Sequence, residues 1–303
     1  MTHNNLNTTS NVILQLRQSL ALQQHQLHSS AAKLAQAALL TEVDLTPKPG
    51  LVDQANSGSH KDMDLLTFLR SIYAITPYFD QFYQYGIQTA HDDNQSFLTN
   101  IRPLGISCEK AMFLATNGVN THKGAIFAFG LLLSSLGRLH ALDKTINDQT
   151  ICAQISTLCQ GMVARELSDN QGQTMGERLY QQYGLTGARG EAESGYTLVT
   201  KIALPSYLAS LQQGYSEAQC LLQAMLSLLA YNDDTNIVSR GGLDGLNLVK
   251  QHAQLLLEEG GALIAQANVK LQQFDQVLIE KNLSPGGTAD LIAVTWFLSH
   301  YHQ

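Results

Sequence analysis

Between Ala125 and Leu139 the chain is apolar on almost every face of the helix it would form. Such a helix has no side to offer water, so other segments must wrap it. Those segments also have helical spacing. Ser29 and Ser30 are capping residues for a helix from Ala31 towards Val43, which Pro47 and Pro49 prevent from continuing. The pattern predicts further helices from Asp62 to a break near Pro77, over Ser107–Thr116 with a stop at Asn117-Gly118, and over Thr150–Leu167. It continues with Met175–Tyr183, Tyr196–Gln213 (kinked at Pro205), Ser216–Tyr231, Leu243–Glu259, Ile264–Lys281 and Thr288–Tyr301. No run alternates as a half-buried strand does, and there is no βαβ rhythm. The reading is all-α: a variable polar segment over 1–28, then a single multi-helix domain over 29–303.

The most apolar stretch, Ala125–Leu136, is short for a bilayer and is followed by Arg138 and His140, so no membrane is expected. Met1 to Ser10 is polar and lacks an apolar signal core. Cys108, Cys152, Cys159 and Cys220 form no CxxC pair and read as reduced core residues of a cytoplasmic protein. A net charge of −7 argues against a nucleic-acid face. It also means that a phosphate site must gather its cations locally or use a metal ion. His3, His25, His28, His300 and His302 lie towards the termini and read as solvated. There is no HExxH, GxSxG or zinc-ligand spacing.

Gly, Pro and charge concentrate instead in five connections: TPKPGLVDQANSGSHKDM (46–63), NGVNTHKGAIF (117–127), GLTGARGEAESGY (184–196), NDDTNIVSRGG (232–242) and NLSPGGTADL (282–291). Helix-to-helix turns need no such chemistry. Asp62 suits the first turn of a helix, where free N–H groups favour an acid. His60 is either a base or a loop hydrogen-bonder. His122 and Lys123 precede the buried helix, whose N-terminus is suited to phosphate. Adjacent Asp233 and Asp234 repel unless a cation or proton is present, which fits Mg²⁺ shared with substrate phosphates. Arg240 with Gly241 and Gly242 would grip a phosphate through guanidinium and amides. Ser284 and its two following glycines offer another anion cradle. The Gly-rich 184–196 string is neither GxGxxG nor a P-loop.

The strings LTEVDLTPKPGLVDQANSGSHKDM, GVNTHKGAIF, RLYQQYGLTGARGEAESGY, DTNIVSRGG and NLSPGGTADL resemble the triphosphoribosyl-dephospho-CoA synthase family, in the family's order from about Thr41 to Leu298. The matched positions include Glu42, Lys48, Asp53, His60, Asp62, His122, Lys123, Arg189, Glu191, Glu193, Asp234, Arg240, Ser284 and Asp290. Asp64 lies outside the pattern, and Asp233 stands where it is loose. The resemblance implies an all-helical fold and a reaction of ATP with 3′-dephospho-CoA that releases adenine. RLYQQYGLTGARGEAESGY places the resemblance nearer the citrate lyase branch than the malonate decarboxylase branch. The product would then pass to the prosthetic-group transferase of a citrate lyase acyl carrier.

That chemistry needs the triphosphate neutralised, a base for the acceptor hydroxyl and a hydrogen bond for departing adenine. The expected roles are Mg²⁺ on Asp62 and Asp234, and phosphate contacts from Lys48, Lys123, Arg189, Arg240, Gly241, Gly242 and Ser284. Glu191 is the first choice of base, with His60 and His122 as alternatives. Two other readings use the same residues: a Mg²⁺-dependent helical hydrolase of N-glycosidic or ADP-ribosyl bonds, and a non-catalytic module for CoA-like ligands.

Overall fold

The computed structural model describes residues 2–168, 172 and 174–302, with side chains from Ser10 onward; His3 lies outside the described side chains. Among the described residues there are fourteen α-helices and no strand. In chain order they are α1 (Thr2–Gln26), α2 (Ser30–Asp44), α3 (Leu65–Ile75), α4 (Pro77–Gln88), α5 (Asn94–Ala115), α6 (Lys123–Ala141), α7 (Asp148–Cys159), α8 (Met175–Tyr183), α9 (Gly187–Glu193), α10 (Leu204–Gln212), α11 (Glu217–Tyr231), α12 (Thr235–Glu258), α13 (Ala267–Glu280) and α14 (Gly286–Ser299).

The apolar helix α6 is the axis of the bundle, packed by α4, α5, α7 and α14. Phe129 meets Phe79 of α4 and Phe297 of α14, the latter edge-on at 5.4 Å. By length and composition α6 would suffice to cross a membrane, but 78% of its apolar window is buried against its neighbours. Its nineteen residues exceed the apolar run visible in sequence, because the helix continues through Arg138 and His140. The Arg138 guanidinium stays inside by donating to the carbonyls of Ala90 and Asp92 and to Asn94 Oδ1. α4 crosses α6 at backbone contact distance: a Cβ on Gly86 would overlap the Ser134 carbonyl, and one on Gly137 the Tyr83 carbonyl.

Several boundaries differ from the sequence reading. Residues 1–28 contain α1, whose Leu20 joins the core and whose Arg17 pairs with Asp44. α3 starts at Leu65, because Asp64 and Thr67 make a capping box; Asp62 therefore sits in the preceding loop, not in a first turn. Pro77, expected as a break, opens α4, where its missing N–H costs nothing. α5 begins at Asn94 and runs through Pro103, since Phe97, Ile101, Cys108 and Met112 form one buried stripe. α12 begins at Thr235, capped by Asp234, and Gly242 (φ 62°) interrupts it rather than preceding it. The four cysteines are buried and unbridged.

Candidate active-site cleft

Helix starts converge on a cleft of about 280 Å³. Gly124 of α6, Gly187 of α9, and Gly286 and Gly287 of α14 line it, together with the end of α2, the 48–63 loop and the start of α12. The residues that precede α6, α9 and α14 give no side-chain cap, although Asn120 and Asp290 take the Lys123 and Ala125 amides and Asp234 takes that of Thr288. Their first N–H groups have no intrahelical acceptor, and the helix dipoles add positive potential. An acidic chain thereby gains an anion-attracting surface without many cations. α12 differs, because Asp234 Oδ1 accepts from Asn236 N at 2.9 Å.

The carboxyl groups in the cleft have different jobs. Asp234 is buried and also accepts from Thr288 N (2.8 Å) and Oγ1 (3.0 Å), which ties the starts of α12 and α14 together. Burial still leaves its carboxyl above the ordinary carboxylate range. Asp290, one turn into α14, accepts the Ala125 amide; desolvation, then Glu42 and Asp234, hold it well above that range. A Cβ on Gly124 would collide with Asp290, so glycine there admits the acid. Glu42 takes the buried Lys48 ammonium at 2.6 Å, and Lys48 also donates to the Glu42 carbonyl. One ammonium hydrogen then remains for a ligand. Glu191 on α9 is half-buried; desolvation pushes it up to about 7, opposed by one bond from Leu198 N.

The two cleft histidines, His60 and His122, are both lowered in proton affinity. Thr121 donates to Ser71 Oγ, and Ser71 faces His122 Nδ1 at 2.7 Å. With Ser71 as donor to Nδ1, the ring proton would reside on Nε2. Burial, reinforced by the nearby Lys48 charge, pushes His122 down to about 3. Its Nε2 has no protein partner, and neither has the buried Tyr196 hydroxyl; both residues line the cleft. His60 is engaged at both nitrogens, with Ser284 Oγ at Nε2 (2.8 Å) and Arg240 Nη2 at Nδ1 (3.3 Å). Desolvation, then the Arg240 charge, lowers its proton affinity. Asp62 lies 3.7 Å from His60 but is largely exposed and does not line the cleft.

The structure therefore brings together Lys48, His60, His122, Lys123, Glu191, Asp234, Arg240 and Ser284. It leaves others out. Arg240 Nη1 is held by Ser59 O and Asn282 Oδ1, so this guanidinium clips two loops together as well as facing the cleft. Gly241 packs against Leu283, and Gly242 forms the α12 kink; neither lines the cleft. Arg189 faces the other side of α9 and pairs with Glu166 at 2.8 Å. Both Glu193 oxygens accept backbone amides, from Gly161 and Val163, which fixes that acid structurally.

Residues 28–303 match the ATP:dephospho-CoA triphosphoribosyl transferase family, CitG. The chain belongs to this family. It is 48% identical over 278 residues to a probable 2-(5''-triphosphoribosyl)-3'-dephosphocoenzyme-A synthase of Albidiferax ferrireducens, covering 91% of this chain and 92% of that relative. A probable synthase of the same name from Citrobacter koseri is 51% identical over 273 residues, 90% of each chain. The synthase of Escherichia fergusonii is 49% identical, covering 89% of this chain and 90% of its own. No solved structure matches the chain. As a member of the transferase family the chain is an enzyme, and ATP and dephospho-CoA fit the family name as substrates.

For a triphosphoribosyl transferase the residues left without a role in the sequence become informative. Asp290, Glu42 and Tyr196 shape the cleft as much as Glu191 does. Asp290 and Glu42 were visible only as pattern matches, and nothing local marked Tyr196 as buried. Among the described residues no three His, Cys, Asp or Glu side chains form a ready metal cage. Asp234 and Asp290 line the cleft beside helix starts and offer carboxylate oxygens, the donor type that a hard cation shared with nucleotide phosphates takes.

Proposed function

We propose that the enzyme transfers the 5′-triphosphoribosyl group of ATP to the 2′-hydroxyl of 3′-dephospho-CoA and releases adenine. The C1–N9 bond of the ATP ribose breaks, and a bond forms from C1 to the acceptor oxygen. The hydroxyl proton passes to Glu191, and adenine leaves with the electrons of its glycosidic bond and takes up a proton from solvent. The observation that carries this reading is a carboxyl group titrating about 7 in the same cleft as the glycine-bearing starts of α6, α9 and α14. A base with that proton affinity works near neutral pH. The helix starts, with Lys48 and Lys123, suit the triphosphate.

His122 would act as a hydrogen-bond donor and not as the base: its Nε2 faces the leaving adenine without transferring a proton, and Tyr196 supplies a hydroxyl to the sugar or base. Asp234 and Asp290 would hold Mg²⁺ together with the triphosphate, and bound there it would neutralise phosphate charge. His60 and Ser284 shape the wall, and Asp62 stays at its margin. The product serves a citrate lyase acyl carrier through its prosthetic-group transferase, in the cytoplasm, without membrane or nucleic acid. Four unbridged thiols accord with that compartment.

The test follows adenine by chromatography with ATP alone, with ATP plus dephospho-CoA, and with the full mixture after chelation. Adenine should appear only with the acceptor, and chelation should stop it. Equal release with ATP alone would establish the hydrolase reading instead; binding of both substrates without release would establish the non-catalytic module.

The base also sets a pH profile. Its proton affinity is raised, so the active carboxylate is lost as pH falls through about 7. Below that point kcat/KM should fall roughly tenfold per pH unit. A profile flat from pH 5 to 8 would remove Glu191 as the base.

A further inference from the structure

A second groove, of about 410 Å³, runs behind the cleft between α5, α6 and α9. Leu98, Ile101, Ile106, Leu131 and Met162 make it apolar. Ile106, 45% exposed on its rim, continues this apolar lining to the surface. The groove and the cleft abut, because Lys123, Gly124, Phe127 and Ala188 line both. Cations ring this boundary. Arg102 and Arg189 share Glu166, and Lys123 meets Glu109 at 3.2 Å. Among the described side chains, Arg102, Arg189 and Lys123 thus face two carboxylates, Glu166 and Glu109.

We propose that this groove binds the pantetheine arm of the acceptor, with the acceptor pyrophosphate at Lys123 and Arg189. The inference rests on the transferase reading and adds the acceptor's place to it. The order of groups in dephospho-CoA matches the order of surfaces. Its arm is neutral and largely aliphatic with two amides, which suits an apolar groove with a polar mouth. The pyrophosphate comes next, at the cations. The ribose bearing the reacting hydroxyl then enters the cleft. Ala188 stands on the boundary, and Glu191 follows it by three residues on the same face of α9, so the base faces the point where that ribose emerges.

Gly105 gives a direct probe. It lines the groove on α5, and nothing lies within 4 Å of a Cβ built on it. Gly105→Phe would occupy the groove with no backbone clash, in a helix that gains from losing glycine. Binding is read by titration calorimetry, with dephospho-CoA and with 5′-AMP, which keeps the ribose and a phosphate but lacks the arm. Gly105→Phe should weaken dephospho-CoA by about ten- to a hundredfold, the scale of one displaced apolar group, and leave AMP unchanged. Ile106→Asp, on the rim, should act in the same direction without burdening the core. Unchanged dephospho-CoA affinity in both variants, or equal losses for dephospho-CoA and AMP, would overturn the proposal. Adenine release by the unmodified enzyme reports separately on the transferase reading. Selective loss of binding alongside a failed release assay would sink that reading and leave the groove assignment standing.

Discussion

Glu191→Gln should lower kcat by about 10²–10⁴ while ATP binding stays near normal, the usual contribution of a positioned general base. Glutamine keeps the size of the side chain and can still accept the Leu198 amide hydrogen seen at 3.2 Å. It cannot take a proton from the acceptor hydroxyl. The fold should be indifferent to the change, because Glu191 is half-buried and makes no ion pair among the described residues. The neighbouring acid gives the contrast. Glu193 holds the Gly161 and Val163 amides, so Glu193→Gln should act on stability more than on turnover. The measurements are steady-state kinetics, ATP binding by calorimetry and thermal melting of both variants. Normal kcat in Glu191→Gln would move the base elsewhere, and His60 and His122 are poor substitutes. His60 has both ring nitrogens engaged, and burial holds down the proton affinity of His122, whose Nδ1 meets Ser71.

Gly86→Ala should cost about 1–3 kcal/mol of stability, the range for inserting one carbon where no space exists. The added Cβ would overlap the carbonyl oxygen of Ser134, which belongs to the backbone of α6 and has no rotamer to escape into. α4 and α6 would have to separate, stretching the Ser134 Oγ bond to the Phe82 carbonyl, now 3.0 Å. Alanine's helix propensity returns up to about 1 kcal/mol, which does not reverse the sign. Gly105→Ala supplies the control: it is also helical but faces open space, so it should stabilise slightly or leave stability unchanged. Denaturant unfolding of the two variants against the parent protein decides the matter. Equal stability of Gly86→Ala and the parent would mean that the helices do not cross this closely. The same displacement would move the start of α6, and with it His122 and Lys123, so reduced turnover should accompany the stability loss.

The sequence by itself determined the helical class and the burial of α6, because hydrophobic periodicity is local and needs no knowledge of partners. It also placed α8 at Met175–Tyr183, where Thr174 and Glu177 form a capping box and Gly184 ends the helix in a left-handed conformation. The five Gly-rich connections were legible as a candidate site, since glycine and charge at helix ends have a narrow set of uses, and all five contribute to the cleft wall. Tertiary structure alone decided which residues in those connections share a surface. Gly124, Gly187, Gly286 and Gly287 reach the cleft, whereas Gly241 and Gly242 serve packing and a kink. Glu191 and Glu193 are two residues apart, about 200° around a helix, so one faces the cleft and the other holds the 161–163 backbone. Their chemistry then diverges, because proton affinity depends on the water and charges that neighbours far along the chain remove or supply. Asp290 draws its raised proton affinity from desolvation and from Glu42 and Asp234, residues that only folding brings near it.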